Sequence, residues 1–263
     1  MTIPRVHADT GQNELMTRDA FGAGGALFGS SLEAVHRLLS ERFADQDIRI
    51  YEAGGGSTSY LPTNLVLNAE TTVVDVDKQQ LRNNCYARFR ICGDIQRQNF
   101  QPERFDLIGC YNVIEHLEGP DQAITHFFKS LVPGGLVFIA GPNPHSFFGT
   151  VTRFAPHWFH VWAYRTLLRR KDAGQPGVAP FRTVYDTLIS PANLVRFCRK
   201  LGFEILYFKE IETVQFGLLR RERPALGWML NVFIRTLEFI SRKTLRNGDF
   251  HLVLMKPDLE AIR

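Results

Sequence analysis

The chain has 263 residues, 44% hydrophobic and 22% charged, an ordinary globular composition with enough length for one large α/β domain. The net charge of +4 is unevenly divided: residues 1–149 hold 12 Lys+Arg against 17 Asp+Glu, and residues 150–246 hold 17 against 7. Cys85, Cys92, Cys110 and Cys198 have neither metal-ligand spacing nor disulfide density, so they read as reduced thiols in the cytoplasm; no apolar run reaches the length of a spanning helix, and no signal peptide is expected.

Residues 1–28 are polar and then glycine-rich, and predict a mobile arm ahead of a single domain at 29–263. Ser30 or Ser31 suits a helix N-cap, and Leu32, Val35, Leu38, Leu39 and Phe43 recur at helical spacing. The next stretch, I-R-I-Y-E-A-G-G-G-S-T, organises the rest. A strand over 48–53 ends in Glu52, and Gly54, Gly55 and Gly56 follow at once. Glycines let backbone approach a ligand closely, and the N–H groups of a following helix would face that ligand. That helix is placed at 57–67, weakened by Pro62.

A β-branched strand at 71–74 ends at Asp75, and a helix fits 78–84. A weaker strand at 87–91 is bounded by Gly93-Asp94. The strand at 105–110 leads to Tyr111 and Asn112. A helix at 121–131 precedes the turn Pro133-Gly134-Gly135. The strand at 136–140 is nearly pure apolar, as when both faces of a parallel sheet are covered. Ser190-Pro191 starts a helix that stops at Gly202. Strands follow at 203–211 and 250–255, with an amphipathic helix at 226–241 between them. The regions 143–189 and 213–247 interrupt the alternation and are rich in aromatic and basic residues.

Alternating strands and helices predict a doubly wound, mostly parallel α/β sheet with helices on both faces. Ligands of such sheets bind at the strand carboxyl ends. Glu52, Asp75, Asp94 and Asn112 each follow a predicted strand, so they form one polar rim.

At these residues the sequence resembles the class I S-adenosylmethionine-dependent methyltransferases. Y-E-A-G-G-G-S-T is similar to that family's first motif, with Thr58 where a third small residue is usual. V-V-D-V-D-K-Q-Q-L resembles the second strand's end, Gly93-Asp94 the third, F-D-L-I-G-C-Y-N-V-I-E-H-L the fourth, and L-V-P-G-G-L-V-F-I-A the fifth. The resemblance implies a Rossmann-like sheet of seven strands, with helical insertions at the carboxyl edge. It implies S-adenosyl-L-methionine as cofactor. Glu52 would hold its methionine end, Gly54, Gly55 and Gly56 would pack beside it, and Asp75 would accept from the ribose hydroxyls, with Asp77 as competitor. Asp94 and the Ile95 amide would meet the adenine, and Tyr111 and Asn112 would flank the methionine portion.

The expected reaction is methyl transfer to an oxygen, nitrogen or carbon nucleophile of a small molecule, with sugar or lipid-linked intermediates among the candidates. His116 and His145 follow predicted strands and are the candidate bases. His157 and His160, among Trp158, Phe159 and Trp162, read as core. No metal site and no nucleic-acid module is expected. A nicotinamide-dependent oxidoreductase and a non-catalytic binding protein are the alternatives. For the helix at 226–241, packing on the sheet or on a second subunit is expected; peripheral contact with a membrane is the alternative.

Overall fold

The computed structural model describes residues 25–169, 171, 173–174, 184 and 186–258. Most of the expected arm, residues 1–24, lies outside the described residues. From Gly25 the chain is helical, and α1 spans Gly25–Arg42. Neither Ser30 nor Ser31 caps it; glycines 25 and 29 hid its first turns from a propensity reading. Ser31 is buried instead, with its hydroxyl 2.9 Å from His251 Nδ1 and 3.0 Å from the Tyr207 hydroxyl.

Then come β1 (Arg49–Ala53), α2 (Thr63–Asn68), β2 (Glu70–Asp75), α3 (Lys78–Asn83), β3 (Phe89–Cys92) and β4 (Phe105–Tyr111). Helix α4 (Pro120–Ser130) runs directly into β5 (Leu131–Pro142). The expected Pro-Gly-Gly turn is therefore an irregularity inside a strand. Its pairing with β4 shifts between Phe105 and Leu107. Gly134 takes φ +75, and Gly134 and Gly135 exchange backbone hydrogen bonds with Lys256.

Two helices whose bounds the sequence had not placed within the expected helical insertion follow, α5 (Phe147–Phe154) and α6 (His157–Thr166). Then come α7 (Pro191–Leu201), which Gly202 closes at φ +109, and β6 (Glu204–Ile211). A third helix without an expected position, α8 (Val214–Glu222), precedes α9 (Pro224–Ser241) and β7 (Asp249–Met255).

The seven strands form one sheet in the order β3-β2-β1-β4-β5-β7-β6. Strands β1 to β5 pair in parallel, and β7 runs antiparallel to both its neighbours. Strand order reverses between β1 and β4, so the crevice at their carboxyl ends is the switch point at which such sheets bind ligands.

Both faces of the sheet are covered, which explains the uninterrupted apolar run of β5. Leu136 and Phe138 pack with Val35 and Leu39 of α1 and Leu65 of α2. Val137 and Ile139 face the other way, with Phe127 of α4 and Leu194 of α7. No helix among the described residues is long and apolar enough to cross a membrane.

Candidate active site

The turn after β1 is set by the protein's own packing. Gly54 and Gly56 take φ +71 and +50. A Cβ on Gly54 would lie 2.4 Å from Val113 Cγ2, and one on Gly55 2.9 Å from the Glu52 side chain. The Gly54 N–H donates to the Val74 carbonyl at 2.7 Å, and the Gly56 N–H to Asp75 Oδ2 at 2.9 Å. The helix expected at 57–67 begins only at Thr63, with Pro62 in the N-cap position. Proline suits a helix start, so it marks the boundary here and does not weaken a longer helix.

The three acids of the rim are each pinned. Glu52 is buried and accepts from the Ser59 and Tyr86 hydroxyls. Burial pushes its carboxyl up to about 7 against those two hydrogen bonds, which favour the charged form. Asp75 accepts the Gly56 N–H on one oxygen and the Asp77 N–H, at 2.8 Å, on the other. Asp77 caps α3, accepting from Gln79 and Gln80 N–H at 2.8 and 3.1 Å. Asp77 is thus engaged by its helix, while Asp75 is tied to the glycine turn. Asp94 accepts from the Gln96 N–H at 2.9 Å, and Ile95 beside it is buried.

Tyr111 stacks on Tyr60 with ring centroids 4.0 Å apart and planes within 5°. Asn112 takes φ +54, its N–H donating to the Ala140 carbonyl at 2.9 Å.

These residues line one cavity of about 1430 Å³. Glu52, Gly54, Gly55, Gly56, Asp75, Asp94, Ile95, Tyr111, Asn112 and His116 all face it. His145 is not among the lining residues. Its side chain is exposed, and its N–H closes a turn on Asn143 Oδ1 at 3.0 Å. Following a strand in sequence did not aim it inward, because Pro144 and that turn intervene. The cavity continues under Phe147 and Phe148 of α5, Phe159 and Tyr164 of α6, and Leu219 of α8.

Residues 26–207 match the family described as a methyltransferase domain. The chain belongs to this family. It is 29% identical over 106 residues to a ubiquinone biosynthesis O-methyltransferase of an Azoarcus species, covering 40% of this chain and 39% of that protein. The match thus spans about four-tenths of that curated relative's length.

Among solved structures, an S-adenosylmethionine-dependent methyltransferase from Mesorhizobium loti aligns with a TM-score of 0.52 at 14% identity, over 87% of this chain and 99% of that one. The [4+2]-cyclase SpnF also aligns with a TM-score of 0.52, at 17% identity, over 85% and 81%. The shared feature is the fold, and a fold hosts more than one reaction. Family membership sets aside the nicotinamide-dependent oxidoreductase that the glycines alone had left open.

The cofactor of the methyltransferase family is S-adenosylmethionine, and the residues present fit it. A glycine turn and three carboxylates line the same cavity at the carboxyl ends of adjacent parallel strands. The methyltransferase cavity also holds groups that the sequence reading did not single out. Glu115 belongs to a single 3-10 turn, Ile114–His116. Its carboxyl is buried and pushed up to about 8, and Oε2 has no hydrogen-bond partner among the described residues. Its Oε1 lies 3.7 Å from His116 Nε2.

Asp249, at the start of β7, is likewise raised by burial to about 7, and accepts from Thr213 and the Val214 N–H. Glu115 could have been found, since it adjoins His116 in the E-H-L motif. Asp249 carried no signal, because Asn247-Gly248-Asp249 reads as a turn. His160 and Phe159 line the cavity and are not core residues. Trp158 and Trp162 are exposed; the side chain of His157 lies outside what the structure describes.

Proposed function

We propose that the chain transfers the methyl group of S-adenosylmethionine to an oxygen nucleophile of a small, largely apolar acceptor. The observation that carries this reading is a single cavity that joins an acid-and-glycine rim to an aromatic pocket, with Glu115 and His116 on its wall. The family resemblance supports Glu52, Asp75 and Asp94 as the residues that hold the cofactor. Asp75 is suited to two neighbouring hydroxyls because an ionised carboxylate accepts on both oxygens. The cofactor supplies an electrophilic methyl carbon on a sulfonium.

The protein's part is positioning, exclusion of water and removal of a proton. Phe147, Phe148 and Tyr164 enclose the acceptor side. His116 would receive the proton of the acceptor hydroxyl as that oxygen takes up the methyl group. Glu115 stands behind His116, and its carboxylate stabilises the imidazolium. The ubiquinone biosynthesis O-methyltransferase relative supports an oxygen acceptor.

Formation of S-adenosylhomocysteine with a panel of hydroxylated aromatic acceptors tests this reading. His116→Ala is expected to lower turnover by about 10²–10⁴ while leaving binding of S-adenosylhomocysteine unchanged. Full turnover by that variant would remove the base and leave positioning alone as the mechanism.

A further inference from the structure

Helix α9 carries its apolar surface outward. With residues placed at about 100° intervals, its inner side holds Gly227 and Ile234, both buried. It packs closely on α8: a Cβ on Gly227 would lie 2.7 Å from Arg220 Cγ, and Ile234 joins Phe216 and Leu219. The outer half of the helix presents Trp228, Met229, Val232, Phe233, Phe239 and Ile240 to solvent, broken only by Thr236 and Arg235 among the described positions of that arc. Trp228 is 67% exposed, Ile240 72% and Phe239 87%. A solvated helix of a globular protein shows the opposite arrangement, and an apolar area of this kind marks a contact surface. The expected packing of this helix on the sheet is not what the structure shows; its buried side lies against α8.

The surroundings indicate what the surface meets. Residues 214–246 hold seven Lys+Arg and two Asp+Glu. Arg235 lies in the exposed arc, and Arg242 and Lys243 follow the end of the helix. None of these three has a carboxylate partner among the described residues. Helix α6 repeats the pattern. Trp158 and Trp162 are 68% and 47% exposed, with Arg165 on the same side, while Phe159 and Ala163 line the cavity. All three tryptophans of the chain are thus exposed on the helices that cover the cavity.

We propose that the outer faces of α9 and α6 dock on an anionic lipid bilayer. The apolar side chains would enter the region between headgroups and acyl chains, tryptophans would lie at that boundary, and the cations would meet lipid phosphates. A second copy of the chain fits less well, since a two-fold contact would bring this cationic segment against itself. Docked in this way, the cover of the cavity faces the phase in which apolar acceptors dissolve.

Co-sedimentation with vesicles of phosphatidylglycerol and phosphatidylcholine, against phosphatidylcholine alone, tests the proposal without any turnover. Its failure would leave the methyl-transfer reading intact. The expected result is pelleting with the anionic vesicles, weaker at higher salt, with a blue shift of tryptophan emission. Trp228→Ser/Phe239→Ser/Ile240→Ser should lose about tenfold or more in partitioning, and Arg242→Glu/Lys243→Glu should lose binding most at low salt. Because the latter pair alters only exposed charges, it keeps the test decisive if the triple variant folds poorly. No pelleting of the wild type, equal pelleting with neutral vesicles, or undiminished binding by Arg242→Glu/Lys243→Glu would overturn the proposal. So would a dimer in solution that the triple variant converts to monomer while vesicles bind neither form.

Discussion

The rim at the ends of β1, β2 and β3 and the cover built from α5, α6, α8 and α9 enclose the same cavity by different means. In the rim, each acid is pinned, Glu52 by the Ser59 and Tyr86 hydroxyls and the other two by backbone. Asp75 takes two N–H groups, Asp94 takes another, and the Gly54 turn is filled by Val113. In the cover, a small cluster of Phe216, Leu219 and Ile234 joins the helices, and most of the large apolar side chains of α9 point to solvent. A rim of this kind has one geometry, and suits a ligand common to a whole family. A lightly anchored cover is where local opening costs least.

That contrast can be broken by one pair of substitutions. Gly54→Ala places a Cβ against Val113 at a positive φ, so unfolding free energy should fall by about 2–5 kcal/mol. Phe154→Ser in the cover removes a side chain that is 78% exposed and should change stability by less than about 0.5 kcal/mol. Urea melts of both variants check this. Equal effects would show that rim and cover are anchored alike.

A smaller effect is expected from pH. Glu115 is an acid with its folded pKa raised to about 8, and Glu52 and Asp249 are raised to about 7. An acid raised in the folded state keeps its proton after the unfolded chain has lost it. Stability contributed by these groups therefore falls as pH rises from the ordinary carboxyl range, about 4.5, through these values, by on the order of a few kcal/mol in total. The urea midpoint should be higher near pH 5.5 than near pH 8.5 (about three units apart), and Glu115→Gln should flatten the difference. The same variant should remove a rising limb of kcat/KM centred near about 8, because Glu115 must ionise to support a proton on His116. A pH profile unchanged by Glu115→Gln would separate Glu115 from the chemistry.

The rim was legible in the sequence because its chemistry follows from backbone. Strands that end in an acid or in glycines place those residues at one edge whatever the side chains around them, so Glu52, Asp75, Asp94 and Asn112 came out together. The cover was not legible, because periodicity reports a stripe and not what lies against it. Leu226, Met229, Leu230, Phe233, Ile234, Leu237 and Ile240 read as one packed face; the structure buries Ile234 and leaves Met229, Phe233 and Ile240 exposed. Helix α8 was missed because its run of arginines and mixed residues has no clear stripe. Local chain geometry misled twice more. A turn carried His145 away from the cavity, and Pro-Gly-Gly read as a break although β5 continues through it.

In the proposed function the rim holds S-adenosylmethionine, with Asp75 at its centre. Calorimetric titration of S-adenosylhomocysteine into the wild type, Asp75→Ala and Asp77→Ala tests it most directly. The expected result is one site per chain, no binding of NAD, a loss of about 1–3 kcal/mol for Asp75→Ala, and a smaller loss for Asp77→Ala, whose main role is to cap α3. Wild-type affinity in Asp75→Ala, or binding of NAD in place of S-adenosylhomocysteine, would contradict it.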